Sequence, residues 1–466
     1  MPMDINPNEE NNELSLSKFE SMLKTNHVLF FDSEEFETII HHYLNQGKIS
    51  LAKKAIKLGL EQHPTSVNLK LFKVEIYVFE NKFPEADELL NELYHLEPLN
   101  EEIYIQKANI FSKKDEHQKA IDVLKQVLDF TEDVYDIYSL IGMEYLFLDR
   151  FEDAKHYFLK CIEEDGSDYT ALYNLIYCFD FLDQQVEAID FLNLFLDKNP
   201  YCEIAWCHLG KQYFSLKEYK KALAAFDFAI ISDDTFVGAY LEKGKVLEKL
   251  KRYPEAIENY SITLTLDEPT SFALLRIGYC YEKLNQTETA LQYFNKTVKE
   301  DPLLDKGWIA ITKFYVKQKN YQKSLYYINK ALNIDVDNVL YWRLYAQINH
   351  KLNHLEEAER GYKKTLELGN FELNTWLNRC DILQQLGEPE AAVYNLIQAI
   401  EFYPENAEIE YRLSGLYFLL QQTRKAVFHL KNAIRANPDF FFILEELYPG
   451  CLQHEAVKKL RDKISP

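Results

Sequence analysis

Residues 205–230 read AWCHLGKQYFSLKEYKKALAAFDFAI, and the spacing within this stretch decides the fold. Apolar and small residues recur at intervals of three and four over residues 206–213 and again over residues 222–229. Such intervals place side chains on one face of an α-helix. The stretch therefore predicts two amphipathic helices joined by a short turn.

The same pattern returns every 34 residues along most of the chain. Twelve consecutive repeats follow one another without an insertion, and the first begins at Ser33. A small residue occupies position 20 of every repeat: Ala52, Ala86, Ala120, Ala154, Ala188, Ala222, Ala256, Ala290, Ser324, Ala358, Ala392 and Ala426. Positions 4, 8 and 11 form one apolar stripe and positions 20, 24 and 27 form a second, so each repeat is predicted to be a pair of packed helices.

The stretch WCHLGKQYFSLKEYKKALAAFDFAI resembles the W-x-x-L-G-x-x-Y…A-x-x-x-F…A pattern of the tetratricopeptide repeat. The residues that carry this resemblance are Trp206, Leu209, Gly210, Tyr213, Ala222, Phe226 and Ala229. The resemblance implies an all-α, right-handed α-solenoid, a superhelix of twelve tandem helix-turn-helix repeats over residues 33–440.

The remaining segments are expected to close the two ends of the solenoid. A stack of repeats needs terminal elements that cover its apolar ends. Residues 13–32 are predicted to form an N-terminal capping helix, and residues 441–466 are predicted to form C-terminal capping helices. Residues 1–12 are polar and acidic, and we expect them to be a disordered tail.

Composition excludes several classes of function. The chain has 52 Lys and Arg against 74 Asp and Glu, a net charge of −22, which opposes binding to nucleic acid. Its seven cysteines are scattered and are expected to be buried, reduced thiols. The first residues contain no secretory signal, and no run of 18 apolar residues occurs, so a cytoplasmic location is expected.

Catalytic and metal-binding motifs are absent, and we predict that the chain is not an enzyme and uses no cofactor or metal. Cys207, His208 and Lys211 lie close together in the opening stretch, with Cys202 nearby, but the repeat positions of Cys202 and Cys207 favour a fortuitous pair over a redox couple. His350 and His354 are four residues apart, yet the second falls in the turn between two helices, so a metal site is not predicted there.

The family resemblance implies that positions 2, 5, 6, 9, 12 and 13 line a concave groove that binds extended peptides or partner helices. In repeats 1 to 5 these positions carry mostly acids: Glu34, Glu37, Glu75, Glu102, Asp136 and Asp180, against Lys113. In repeats 6 to 10 they carry mostly bases: Lys211, Lys245, Lys249, Arg276, Lys283, Lys306, Lys313, Lys317, Arg343 and Lys351, against Glu242, Glu248 and Glu282. This excess of positive charge favours an acidic ligand segment in the second half of the groove.

A peptide-binding site is predicted from these basic residues and from aromatic and amide residues at the same positions. Its members are Tyr173, Asn174, Tyr177, His208, Lys211, Lys245, Arg276, Tyr279, Lys313 and Arg343. Packing between neighbouring repeats is an equally good explanation of each aromatic residue. A carboxylate clamp of the kind some family members use is nearly matched by Arg343, Gln347, Asn378 and Arg412, but Glu408 replaces its second lysine.

These observations predict a protein–protein interaction scaffold or adaptor that binds an extended, acidic peptide segment or a partner helix. Two alternatives remain open. The first is a helical repeat protein that binds single-stranded RNA. The second is a self-assembling structural solenoid, possible through the apolar C-terminal end that contains Phe440, Phe441, Phe442, Leu444 and Leu447.

Overall fold

The structure, a computed structural model, describes residues 7–25, 29–266 and 270–461. The chain divides into two compact units after Ser232. The N-terminal unit holds these helices: α1 (Pro7–Thr25), α2 (Ser33–Asn45), α3 (Ile49–Gln62), α4 (Val67–Phe79), α5 (Phe83–Leu96), α6 (Glu101–Lys113), α7 (His117–Val127), α8 (Val134–Phe147), α9 (Phe151–Glu164), α10 (Tyr169–Phe181), α11 (Gln185–Lys198), α12 (Glu203–Ser215) and α13 (Tyr219–Ser232).

The C-terminal unit continues the same pattern with helices α14 (Val237–Lys249), α15 (Tyr253–Leu266), α16 (Ser271–Lys283), α17 (Thr287–Glu300), α18 (Asp305–Lys317), α19 (Tyr321–Ile334), α20 (Val339–Lys351), α21 (Leu355–Glu367), α22 (Leu373–Gln385), α23 (Pro389–Phe402), α24 (Ala407–Leu419) and α25 (Thr423–Ala436). Two 3₁₀-helices, Pro438–Phe441 and Pro449–Gln453, alternate with α26 (Phe442–Leu447) and α27 (Glu455–Arg461).

Helices α2 to α25 form twelve pairs, one for each 34-residue repeat, and the described residues contain no β-strand. Within each unit, every helix packs against the next one along the chain. The predicted all-α solenoid of helix-turn-helix repeats is therefore confirmed.

The turn inside each repeat depends on one backbone conformation. Position 15 has a positive φ in all twelve repeats: Gly47, Asn81, Asp115, Asp149, Asp183, Lys217, Lys251, Asn285, Lys319, Asn353, Gly387 and Gln421. The next N–H then donates to the carbonyl of position 11, as Lys82 donates to Tyr77 at 2.8 Å. This bond satisfies a carbonyl that the ending helix leaves free, and it reverses the chain.

Helix pairs close where a small residue meets a large one. In repeats 4, 6, 7 and 8, position 8 is glycine and position 24 is an aromatic residue. A methyl group added at Gly210 would lie 2.6 Å from the Phe226 ring, and one added at Gly278 would lie 2.5 Å from the Phe294 ring. These distances are shorter than van der Waals contact, so the ring fills the space that the glycine leaves.

Other repeats meet the same volume requirement with different residues. Where position 8 is larger than glycine, position 24 is aliphatic in seven repeats: Ile56, Leu90, Leu124, Leu192, Ile328, Leu396 and Leu430. Repeat 10 is the exception, because Ala346 faces Tyr362 and a second small residue, Gly361, touches Ala346. The combined size of the two positions is thus restricted along the chain.

The N-terminal helix starts earlier than the sequence suggested. Helix α1 begins at Pro7, so residues 7–12 are helical and do not form a disordered tail, whereas residues 1–6 lie outside the described residues. Proline suits the first turn of a helix, because the N–H that it lacks would have no partner within the helix there. Phe19 is fully buried and its ring lies 6.2 Å from the ring of Phe36, which covers the first repeat.

The C-terminal segment covers the last repeat. Phe441, Leu444 and Tyr448 are buried against repeat 12, and the Tyr448 ring fills the space above Gly415. Phe442 and Leu447 remain exposed. The apolar segment proposed for self-assembly is therefore used in part to close the core.

Replacing Gly278 by alanine tests the closure of the helix pairs. The added methyl group would press on the Phe294 ring and on the backbone of Ala290, and overpacking of this kind costs about 1–3 kcal/mol. Amide hydrogen exchange in α16 and α17 should then accelerate roughly fivefold or more. Gly450→Ala is the matched control, since nothing lies within 4 Å of its added methyl group. Equal exchange in both variants would contradict this packing.

Candidate functional site

The cysteines are structural. All seven are buried and free of disulfides, as the sequence predicted. Cys202 caps α12, where its Sγ accepts a hydrogen bond from the Ala205 N–H at 3.4 Å. Burial raises the pKa of the Cys202 thiol, which keeps it protonated at neutral pH. The Cys202 side chain is therefore a thiol that serves as a helix cap.

His208 lies inside the repeat. Its side chain is only 8% exposed, and its ring packs edge-on against the Tyr173 ring at a centroid distance of 4.9 Å. Its Nε2 has no hydrogen-bond partner among the described residues. Burial, with a smaller contribution from the positive charge of Lys211, lowers the pKa of His208 to about 4. The imidazole is therefore neutral at physiological pH, and of the opening cluster only Lys211 is exposed.

Helix α10 carries an exposed aromatic stripe. Tyr173, Tyr177 and Phe181 are spaced by four residues, which places them along one side of the helix. Each is about half exposed, from 45% at Tyr173 to 60% at Phe181. Phe181 also stacks on Phe151 of the preceding repeat at 3.8 Å. The rings are thus held by neighbours on one side and remain open on the other.

Asn174 lies beside this stripe. Its Nδ2 is 3.6 Å from the Sδ of Met143 in the preceding repeat, and its side chain is half buried. Together with Tyr173, Tyr177, His208 and Lys211, it makes up the part of the predicted site that belongs to the N-terminal unit. In this group the structure brings Tyr173 and His208 into contact.

In the C-terminal unit, Arg276 is engaged inside the protein. Its Nε donates to Glu248 Oε1 at 2.8 Å, and a second guanidinium nitrogen donates to Glu248 Oε2. The buried hydroxyl of Tyr260 donates to the same carboxylate at 2.7 Å. This paired network joins repeats 7 and 8 and uses most of the hydrogen-bonding capacity of Arg276.

Two more predicted basic residues are paired with carboxylates. Lys245 lies 2.7 Å from Glu242, and Arg343 pairs with Glu372 at 2.5 Å. Tyr279 packs its ring against Phe294 at 5.3 Å, so packing explains this aromatic residue. Of the five predicted residues in this unit, Lys313 alone is an exposed cation without a carboxylate partner among the described residues.

Further lysines share the environment of Lys313. On the first helices of repeats 7 to 10, five lysines are exposed and have no carboxylate within 4.0 Å among the described residues: Lys249, Lys283, Lys306, Lys313 and Lys351. We call this set the lysine surface. Lys317 is exposed but pairs with Glu282.

Sequence reasoning counted the members of the lysine surface as basic but placed only Lys313 in the site. A signal was available, since lysine ends the first helix of four successive repeats, at 249, 283, 317 and 351. The pairing of Arg343 could not be predicted from the groove positions. Its partner, Glu372, lies just before α22 and is not at one of those positions.

The two arginines of the near match to a carboxylate clamp are paired with carboxylates of this chain. Arg412 is buried, pairs with Asp381, and lies 3.2 Å from Glu408. These two carboxylates are negatively charged, so they already compensate the positive charge of the Arg412 guanidinium. Arg343, the other basic member, is held by Glu372.

Residues 7–25, 29–266 and 270–461 contain neither a cluster of metal ligands nor a helix that could span a membrane. No group of three or more His, Cys, Asp and Glu side chains in these ranges converges on a point that could hold a metal ion. His354 Nδ1 instead lies 3.2 Å from Asn349 Oδ1. Within the same ranges, every helix is too short or too polar to cross a lipid bilayer.

The environment of His208 predicts a pH effect on stability. Its folded pKa, about 4, lies below the value of about 6.5 in an unfolded chain, so only the unfolded state gains a proton between these values. Stability should therefore fall as the pH drops from 6.5 towards 4, by roughly 2 kcal/mol at pH 5.

Nuclear magnetic resonance titration of ¹⁵N-labelled histidine measures this pKa directly, with His208→Gln to assign the signal. A His208 pKa near 4 is expected. A His208 signal that titrates near 6.5 would contradict its burial.

Models of the tetratricopeptide repeat match residues 101–133, 135–168, 207–269 and 272–303. Over 179 residues, the chain is 25% identical to anaphase-promoting complex subunit 3 of Schizosaccharomyces pombe. That alignment covers 38% of this chain, and the chain spans about a quarter of the length of that relative, 27%.

Two solved structures match parts or most of the chain at low sequence identity. One is a tetratricopeptide repeat protein from Parabacteroides merdae, 15% identical, which covers 53% of this chain and 98% of its own with a TM-score of 0.40. The other is the APC/C hetero-tetramer Cut9-Hcn1, 14% identical, with 97% of this chain and 99% of that chain covered and a TM-score of 0.34.

The family models agree with the register of the helix pairs. Their matched segments fall within repeats 3, 4, 6, 7 and 8, counted in steps of 34 from Ser33. The other repeats have the same pair of helices and the same positive φ at position 15. The matched segments are therefore tetratricopeptide repeats, and the other helix pairs share their architecture.

Proposed function

We propose that this chain is a non-enzymatic scaffold that binds other proteins, and that its C-terminal unit binds an acidic, extended segment of a partner. Tetratricopeptide repeats support the general role, because a stack of helix pairs offers a long surface for recognition. The similar protein from Schizosaccharomyces pombe is a subunit of a complex, which agrees with a role in protein assembly.

The lysine surface carries the finer part of this proposal. The chain supplies acids in excess, 74 against 52 bases, so a group of basic side chains without neighbouring acids departs from its average composition. Lys245, Arg276, Lys317 and Arg343 all have such partners, yet the five members of the lysine surface do not. Their charge is left available for an anionic ligand.

A stabilising role explains part of this pattern but not all of it. Lys249, Lys283 and Lys351 end their helices, where a cation interacts favourably with the helix dipole. Lys306 lies in the first turn of α18, where that dipole is unfavourable for a cation, and Lys313 lies in the helix interior. The dipole therefore does not account for these two lysines.

Carboxylates of a partner are the anions we propose. A positively charged surface in a protein of net charge −22 attracts an acidic segment locally while the rest of the molecule repels nucleic acid and other polyanions. Exposed ion pairs contribute about 0.5 kcal/mol each, so four pairs would give about 2 kcal/mol.

Charge reversal of four members of the lysine surface tests the proposal. The variant combines Lys249→Glu, Lys283→Glu, Lys313→Glu and Lys351→Glu. Fluorescence anisotropy would follow a labelled twelve-residue peptide that repeats Glu-Leu-Glu-Tyr. We expect the wild-type protein to bind it, with affinity that falls as salt rises, and the variant to bind roughly thirtyfold more weakly.

The matched control reverses four exposed lysines on second helices of the same unit: Lys299, Lys330, Lys363 and Lys431. This control changes the net charge by the same amount as the first variant. If the position of the lysines matters more than total charge, the control should bind the peptide within about twofold of the wild type. Equal losses in both variants, failure of the wild type to bind, or tighter binding of a polyuridine probe would each contradict the proposal.

A further inference from the structure

The N-terminal unit contains a cavity whose lining differs from the lysine surface of the C-terminal unit. This cavity, of about 390 Å³, opens between α3 of repeat 1 and α4 of repeat 2. Its volume falls within the range of cavities that hold small ligands or single side chains. Its lining contains none of the residues used in the proposed function, so the two binding sites can be tested independently.

The floor of this cavity is apolar. Ile56 and Ile76 are buried beneath it, and Leu60 and the Tyr77 ring form its sides. Apolar walls in an open cavity favour an occupant that brings its own apolar group out of water.

Lysines surround the opening, and one of them lacks an anionic partner. Glu80 is paired with Lys53 and lies 3.0 Å from Lys82, and Glu61 lies 4.0 Å from Lys57. Lys73 has no carboxylate within 4.0 Å among the described residues, and its ammonium lies 5.5 Å from the centre of the Tyr77 ring. An uncompensated positive charge therefore stands beside the apolar floor.

The repeat register places a lysine at position 7 in repeats 2, 3 and 7: Lys73, Lys107 and Lys243. Position 7 is a buried isoleucine or leucine in seven repeats: Ile39, Ile141, Leu175, Leu209, Ile277, Ile311 and Leu413. A lysine cannot fill this volume as those residues do, because its ammonium must reach water or a partner. Arg379 replaces the apolar residue in repeat 11, but Glu359 neutralises it at 2.6 Å. No such acid faces Lys73.

We infer that this cavity binds a segment of a partner protein that presents an apolar side chain next to a carboxylate. The apolar group would cover Ile56 and Ile76, and the carboxylate would pair with Lys73. Charge complementarity selects this occupant over a neutral apolar group, since the neutral group would leave the Lys73 charge uncompensated.

N-acetyl-L-leucine is the simplest probe with this chemistry, and its neutral amide is the matched control ligand. Methyl signals of Ile56 and Ile76 in the full-length protein would report binding, with Ile309 and Ile382 of the C-terminal unit as references. We expect saturable shifts with a dissociation constant of about 1 mM and at least fivefold weaker binding of the amide.

Three variants separate this site from non-specific contact. Lys73→Met should weaken binding of N-acetyl-L-leucine at least fivefold, and Lys73→Arg should restore it to within about twofold. Lys107→Met removes the exposed lysine at the same position of repeat 3 and should leave binding unchanged. The inference is overturned if the shifts do not saturate by about 20 mM, if acid and amide bind equally, or if Lys73→Met and Lys107→Met behave alike.

Discussion

The contact between positions 8 and 24 is the constraint on which the rest of this protein depends. Gly210 meets Phe226 and Gly278 meets Phe294 at distances that leave no room for a methyl group. Because the two helices of a repeat can approach only when this volume is correct, each repeat commits the same side chains to its interior. The remaining positions of each helix are then available for other roles, and charge is distributed among them.

Within the C-terminal unit, some basic side chains pair with carboxylates of the protein and others remain exposed for a ligand. Arg276 pairs with Glu248 of the preceding repeat and so joins the two repeats, and Arg343 pairs with Glu372. Lys313 and the other members of the lysine surface lie on first helices of the same unit without such partners among the described residues. The distinction rests on which acid a neighbouring repeat provides, so it emerges only when the repeats are stacked.

Much of the fold followed from the sequence, because a 34-residue period fixes twelve helix pairs once one pair is recognised. The turns were harder to read, since the positive φ at position 15 is filled by Gly, Asn, Asp, Lys and Gln, which share no simple pattern. The burial of His208 was missed because its position faces the binding side in the family pattern, whereas the Tyr173 ring covers it here. Pairing of Arg276 also depends on tertiary contact, so the sequence overestimated the free charge of the predicted site.

A double-mutant cycle at Gly210 and Phe226 tests the central claim most directly. Gly210→Ala adds volume where the ring lies, and Phe226→Leu removes volume from the same place. Measured by local hydrogen exchange in α12 and α13, each single change should destabilise the repeat, and the double variant should be more stable than the sum predicts by about 1 kcal/mol or more. Strictly additive losses would show that the two positions do not share one volume and would contradict the account.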